Sequence, residues 1–124
     1  MGVTDFQLKQ GDTSTRTFVL REPDGSAKGR RFDLTAYVAA DLAFFFEPIE
    51  TDPPGTALIT GAGVFAIGAD PTSGEVAYTF AAADTGNAAG DYRWEIETLL
   101  GATRNTFPQG GYGTLELVAD LGDQ

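Results

Sequence analysis

The chain has 124 residues, 18 acidic against 8 basic, for a net charge of −10 at pH 7, and it contains neither cysteine nor histidine. That composition removes disulfides, thiol catalysis, zinc fingers, Ser-His-Asp triads and every His-ligated metal site. It also disfavours phosphate backbones and anionic membranes as partners, and no apolar run approaches the ~20 residues of a membrane-spanning helix.

One domain covering residues 1–124 is expected from this length. The opening Met1–Asp5 has no basic region and no apolar stretch, so no secretory signal is expected. Phe6-Gln7-Leu8 alternates apolar with polar, as a short first strand does. Gly11-Asp12-Thr13 interrupts, and Thr15–Arg21 is rich in β-formers and reads as a second strand. Glu22-Pro23-Asp24-Gly25 is a turn in which Pro presets φ and Asp-Gly tolerates a positive φ. Lys28, Arg30 and Arg31 form the basic cluster of the chain and read as charge protecting a sheet edge.

Leu42, Phe44 and Phe46 share one face of a third strand, Phe45 lies on the other, and Pro48 ends it or marks an edge. The alanines also permit a helix over Tyr37–Phe46, but the Phe triplet and the closing Glu47-Pro48 favour a strand. Glu50–Thr56, with two prolines and a glycine, is a loop. Ala57–Thr60 and Val64–Ile67 flank Gly61-Ala62-Gly63 and predict a hairpin or a bulge. Asp70–Gly74 is a tight turn, and Glu75–Phe80 alternates with Val76, Tyr78 and Phe80 inward. Ala81–Gly86 suits one helical turn. Tyr92, Trp94, Ile96 and Thr98 fall on one side of a late strand, with Asp91, Arg93, Glu95 and Glu97 on the other. Leu99–Ala102 turns the chain back as a hairpin into Thr103–Pro108, and Gly113–Val118 closes the series.

Short strands at roughly 8–12-residue spacing without a long helix predict an all-β, antiparallel sandwich of about seven to nine strands. Its expected core is Phe18, Leu20, Leu42, Phe44, Val76, Tyr78, Tyr92, Trp94, Ile96 and Leu115. Asp84, Gly90 and Tyr92 suit a corner at which a tyrosine hydroxyl bonds back to the backbone.

No pattern of catalytic or metal-binding residues stands out. A glycosidase holds two acids across a cleft, whereas Asp91, Glu95 and Glu97 line an outward strand face, the usual place for solvated charge. Asp70–Glu75 is too sparse in acids for a calcium loop. The glycines of 61–63 and 110–113 precede neither a lysine nor a helix, so a phosphate loop fails on context. No enzyme activity, cofactor or metal is expected.

Several segments taken in order resemble one family. They are Phe6–Thr13, Pro23-Asp24-Gly25, Asp33-Leu34-Thr35, Gly74–Phe80, Gly90–Ile96, Thr106-Phe107-Pro108 and Thr114–Val118. Together they resemble the immunoglobulin-like domain at the N-terminus of tailed-phage baseplate upper proteins and of related small virion proteins. The resemblance implies an immunoglobulin-like sandwich and a structural part of a virion, made in the host cytoplasm. It implies no catalytic residues. Because this chain shows no receptor-binding or fibre region after the domain, the expected part is a capsid decoration protein or a neck, tail or baseplate accessory. The expected partners are other virion proteins or further copies of the chain, with no nucleic acid and no membrane. Contact is expected through loop tips and the N-terminal segment, at Phe6, Pro53, Pro54, Gly110, Gly111 and Tyr112. The competing expectation is a β-sandwich carbohydrate-binding or adhesion module, for which Tyr37, Phe107 and Tyr112 are the candidate stacking aromatics.

Overall fold

A computed structural model describes residues 5–22, 29–108 and 112–119. Nine strands occur among the described residues: β1 (Phe6–Lys9), β2 (Thr15–Val19), β3 (Leu42–Pro48), β4 (Ile59–Thr60), β5 (Val64–Ile67), β6 (Glu75–Thr79), β7 (Gly90–Leu100), β8 (Thr103–Phe107) and β9 (Gly113–Val118). A single helical turn, α1 (Ala82–Thr85), joins β6 to β7. The expected all-β class is therefore observed. The helical alternative over Tyr37–Phe46 shrinks to one 3-10 turn at Ala39–Asp41 before β3 begins.

The larger sheet runs β1-β9-β7-β3-β4, and the smaller runs β2-β6-β5. β7 is long enough to take two partners on one edge: β8 lies opposite Ile96–Leu100 and β9 opposite Gly90–Trp94. Gly101, at φ 61°, makes the two-residue turn between β7 and β8. One expectation is corrected by this topology. The sheets are not wholly antiparallel, because β1 pairs with β9 in parallel, Phe6 opposite Leu115 and Leu8 opposite Leu117. The chain has visited both sheets before β9 forms, so its first strand meets its last without a hairpin.

The two sheets face one another across a shared aromatic core. Phe44 of β3 stacks on Tyr78 of β6 at 4.7 Å, and Phe18 of β2 meets Trp94 of β7 at 4.9 Å. Eight of the ten expected core residues are buried; Phe18 and Trp94 are half-buried against the rest. Leu8, Phe32, Leu34, Phe46, Phe80, Phe107 and Leu117 complete the core. Each such side chain contributes about 1.5–3 kcal/mol on burial.

The second correction concerns Gly61-Ala62-Gly63. β4 pairs with β3 and β5 with β6, so this segment is neither a hairpin nor a bulge but a crossing between sheets. Its backbone donors are claimed by buried groups: Ala62 N–H by Asp84 Oδ1 (2.8 Å), Gly63 N–H by the Tyr78 hydroxyl (2.8 Å) and Gly61 N–H by the Phe44 carbonyl (2.7 Å). Cβ atoms at Gly61 and Gly63 would lie 2.2 Å from the Tyr78 oxygen and 2.0 Å from the Thr79 carbonyl oxygen, so glycine is required at both.

Asp84, 3 % exposed, organises this crossing. Its Oδ2 accepts from the Tyr78 hydroxyl (2.7 Å) and from Ala81 N–H (3.1 Å) at the start of α1. Burial, and then the Asp84 carboxylate, push the Tyr78 hydroxyl far above the usual tyrosine range. The tyrosine corner forms at Tyr92, whose hydroxyl donates to the Ala88 carbonyl at 2.6 Å. Asp84 takes no part in that bond; it ties the crossing to α1 instead.

Candidate functional site

Cross-strand register sets the chemistry on the outer face of the larger sheet. Phe45 of β3 stands opposite Glu95 of β7, and Glu47 stands opposite Arg93. All four point away from the aromatic core, because their neighbours Phe44, Phe46, Tyr92 and Ile96 point into it. Glu47 is nevertheless 3 % exposed, since the loop from residue 49 to 58 folds over it.

An ion pair holds that loop. Arg93 Nε donates to Glu47 Oε1 at 2.8 Å. The remaining Arg93 nitrogens donate to the carbonyls of Ile49 (3.3 Å) and Thr51 (2.7 Å). Glu47 also accepts Gly55 N–H (2.7 Å) and Ala57 N–H (3.3 Å). Burial by itself would raise the Glu47 carboxyl. The Gly55 N–H, the Arg93 guanidinium and the Ala57 N–H outweigh it and hold the group below its ordinary range.

The fastened loop forms one wall of a groove of about 340 Å³. Pro54, Gly55 and Leu58 line it from the loop, Phe45 and Glu47 from β3, Arg93, Trp94 and Glu95 from β7, and Tyr112 from the segment before β9. The Arg93 guanidinium lies 5.5 Å from the Tyr112 ring centroid, a cation–π contact that joins Tyr112 to the fastened loop. Leu58 and Tyr112 are about half exposed, at 49 % and 48 %. The Glu95 carboxylate makes no hydrogen bond or ion pair among the described residues. Burial, then Glu97 and Glu47, raise its carboxyl above the ordinary range, with partial relief from Arg93.

The expected contact residues divide accordingly. Pro54 and Tyr112, from segments far apart in sequence, line the same groove. Pro53 is exposed beside it, after a cis Asp52–Pro53 bond. Gly110 and Gly111 lie outside the described residues. Phe6 is half-buried, with Phe18, Phe80 and Trp94 rings at 5.8, 6.1 and 6.2 Å and the Arg16 guanidinium 5.7 Å above it, and it lies apart from the groove. Sequence reasoning missed Phe45, Glu47, Leu58, Arg93 and Glu95 as a group. The signal was present in the outward alternation of β3 and β7, but only the register brings the two sets together.

The groove offers an apolar trough with a carboxylate, Glu95, that is unpaired among the described residues. Both Glu47 oxygens are occupied by the loop and Arg93. Among the described residues no group of three potential metal-ligating side chains occurs, and no helix is long and apolar enough to cross a membrane. In comparisons with known proteins, the chain matches no family model, no curated protein and no solved structure.

Proposed function

We propose that this chain is an immunoglobulin-like β-sandwich that serves as a structural part of a tailed-phage virion and works by protein–protein assembly. The strand arrangement supports the immunoglobulin-like reading. β2-β6-β5 corresponds to a B-E-D sheet, and β9-β7-β3-β4 to a G-F-C-C′ sheet with the first strand added beside G. The Tyr92 bond to Ala88 sits at the start of the F-like strand, where such domains carry their tyrosine corner.

The observation that carries the assembly reading is the groove. Two of the three segments expected to make contacts, represented by Pro54 and Tyr112, both line it, and Leu58 and Tyr112 expose apolar surface. A charge of −10 keeps a part made in many copies soluble until it meets its site. The carbohydrate-binding alternative loses its stacking row: Phe107 is buried, and Tyr37 packs on Phe32 at 5.5 Å. Tyr112 is left as the exposed large aromatic among the described residues.

The test is co-sedimentation with phage particles that lack the protein. Saturable, stoichiometric binding is expected. A protein that stays a free monomer with every component of its parent particle overturns the reading.

A further inference from the structure

We propose that the groove between the 49–58 loop and Tyr112 seats a lysine or arginine side chain from an extended segment of a partner protein. The head of that side chain meets Glu95 and its methylene stem lies along Phe45 and Leu58. This rests on the reading of the chain as an assembly part and names the chemistry of its partner.

The shape of the groove selects an amphipathic cation. Its lining is apolar at Phe45, Pro54, Leu58 and Tyr112; of its two carboxylates Glu47 is bound by Arg93 and the loop, while Glu95, opposite Phe45, has no partner among the described residues. A long basic side chain satisfies both, burying its stem on apolar surface while its charge meets an acid. Arg93, the cation that partly offsets the Glu95 charge, does not fill this role. Arg93 spends its guanidinium nitrogens on Glu47, Ile49 and Thr51. Glu95 is thus a partly desolvated acid among like charges, its carboxyl raised by burial, Glu97 and Glu47, and a bound cation relieves that cost.

Charge also argues for a different protein as the occupant. Two copies each carrying −10 repel one another. The basic arm that a second copy has to offer is partly committed, since Arg21 donates to the Gly29 carbonyl and Arg31 to the Ser73 carbonyl.

Two measurements test this separately from the virion reading. In the first, a ¹⁵N-labelled sample is titrated with acetyl-Leu-Lys-Leu-amide up to about 5 mM, a range suited to millimolar affinity. Acetyl-Leu-Gln-Leu-amide serves as control. Shifts confined to Phe45, Leu58, Glu95, Tyr112 and their neighbours are expected, weakening with salt, and about tenfold weaker for the Gln peptide or for Glu95→Gln. No shifts, shifts spread over the surface, or equal responses to the two peptides overturn the proposal. In the second, Glu95→Gln and Leu58→Ser are compared with the wild type in particle co-sedimentation. Leu58 is exposed and Gln is isosteric with Glu, so both variants are expected to fold; far-UV circular dichroism checks this. Loss of binding in both supports the groove, and unchanged binding in both overturns it. A wild type that fails to co-sediment overturns the virion reading, while the peptide titration still decides the groove.

Discussion

Replacing Asp84 by Asn removes one charge and leaves the shape of the side chain almost unchanged, so it isolates the hydrogen bonding that holds the sheet crossing. The carboxylate accepts three bonds, from Ala62 N–H at Oδ1 and from the Tyr78 hydroxyl and Ala81 N–H at Oδ2. An amide has a single acceptor atom. Its best orientation keeps the oxygen on Tyr78 and Ala81 and turns the NH₂ toward Ala62 N–H. One backbone donor and one amide donor are then left facing each other, each costing about 1–3 kcal/mol. Part of the Ala62 side is open to solvent, so a total loss of about 2–3 kcal/mol is expected. Asp84→Ala strands all three donors and is expected to cost about 3–5 kcal/mol. Urea unfolding followed by Trp94, the single tryptophan, reads both. With a slope of about 1.5 kcal/mol per molar, the Asn variant unfolds at about 1.3–2 M lower urea. Tyr78→Phe is expected to cost less in the Asp84→Ala background than in the wild type, with a coupling of about 1–2 kcal/mol, because the two groups share one bond. A loss below ~1 kcal/mol in both Asp84 variants, or additive effects with Tyr78→Phe, refutes the claim that this carboxylate fastens the crossing.

Particular contacts elsewhere set two further outcomes. A Cβ at Gly113 would stand 2.1 Å from Trp94 Cε2, so Gly113→Ala displaces the indole; a red-shifted emission and a loss of about 1–3 kcal/mol are expected in the same urea assay. Glu47 and Glu95 give opposite pH dependences, measured as thermal midpoints between about pH 7 and pH 3. Glu47 is lowered from 4.5 on folding, so its stabilisation is present above that value and is lost as pH falls through its folded pKa; Glu47→Gln therefore lowers stability most at neutral pH, and the gap to the wild type closes in acid. Glu95 is raised above 4.5, so its ionised form burdens the fold at neutral pH; Glu95→Gln is expected to be more stable than the wild type there, with the advantage fading as pH falls toward 4.5.

Local pattern in the sequence determined the strands themselves. Period-two alternation in Glu75–Phe80 and Tyr92–Thr98 names inward faces without reference to any partner, because a pleated strand has only two sides. The turn at Asp70–Gly74 was equally legible: Asp70 accepts Thr72 N–H, Pro71 opens the 3-10 turn, and Gly74 closes it at φ 72°. These are short-range facts, encoded within a few residues. The path of the chain after β4 was not encoded so locally. Glycines beside two strands suggest a hairpin, yet the chain crosses between sheets because Asp84 and Tyr78, some 15 to 22 residues downstream, take its backbone donors. The alternation of Phe6 and Leu8 marked a first strand, but not its partner, β9, 109 residues on. The groove depends on the same kind of information. Pairing β3 with β7 one residue out of register would exchange the inward and outward faces, and Glu47 would no longer meet Arg93. Alternation determines which residues face outward; only long-range pairing decided which of them face each other.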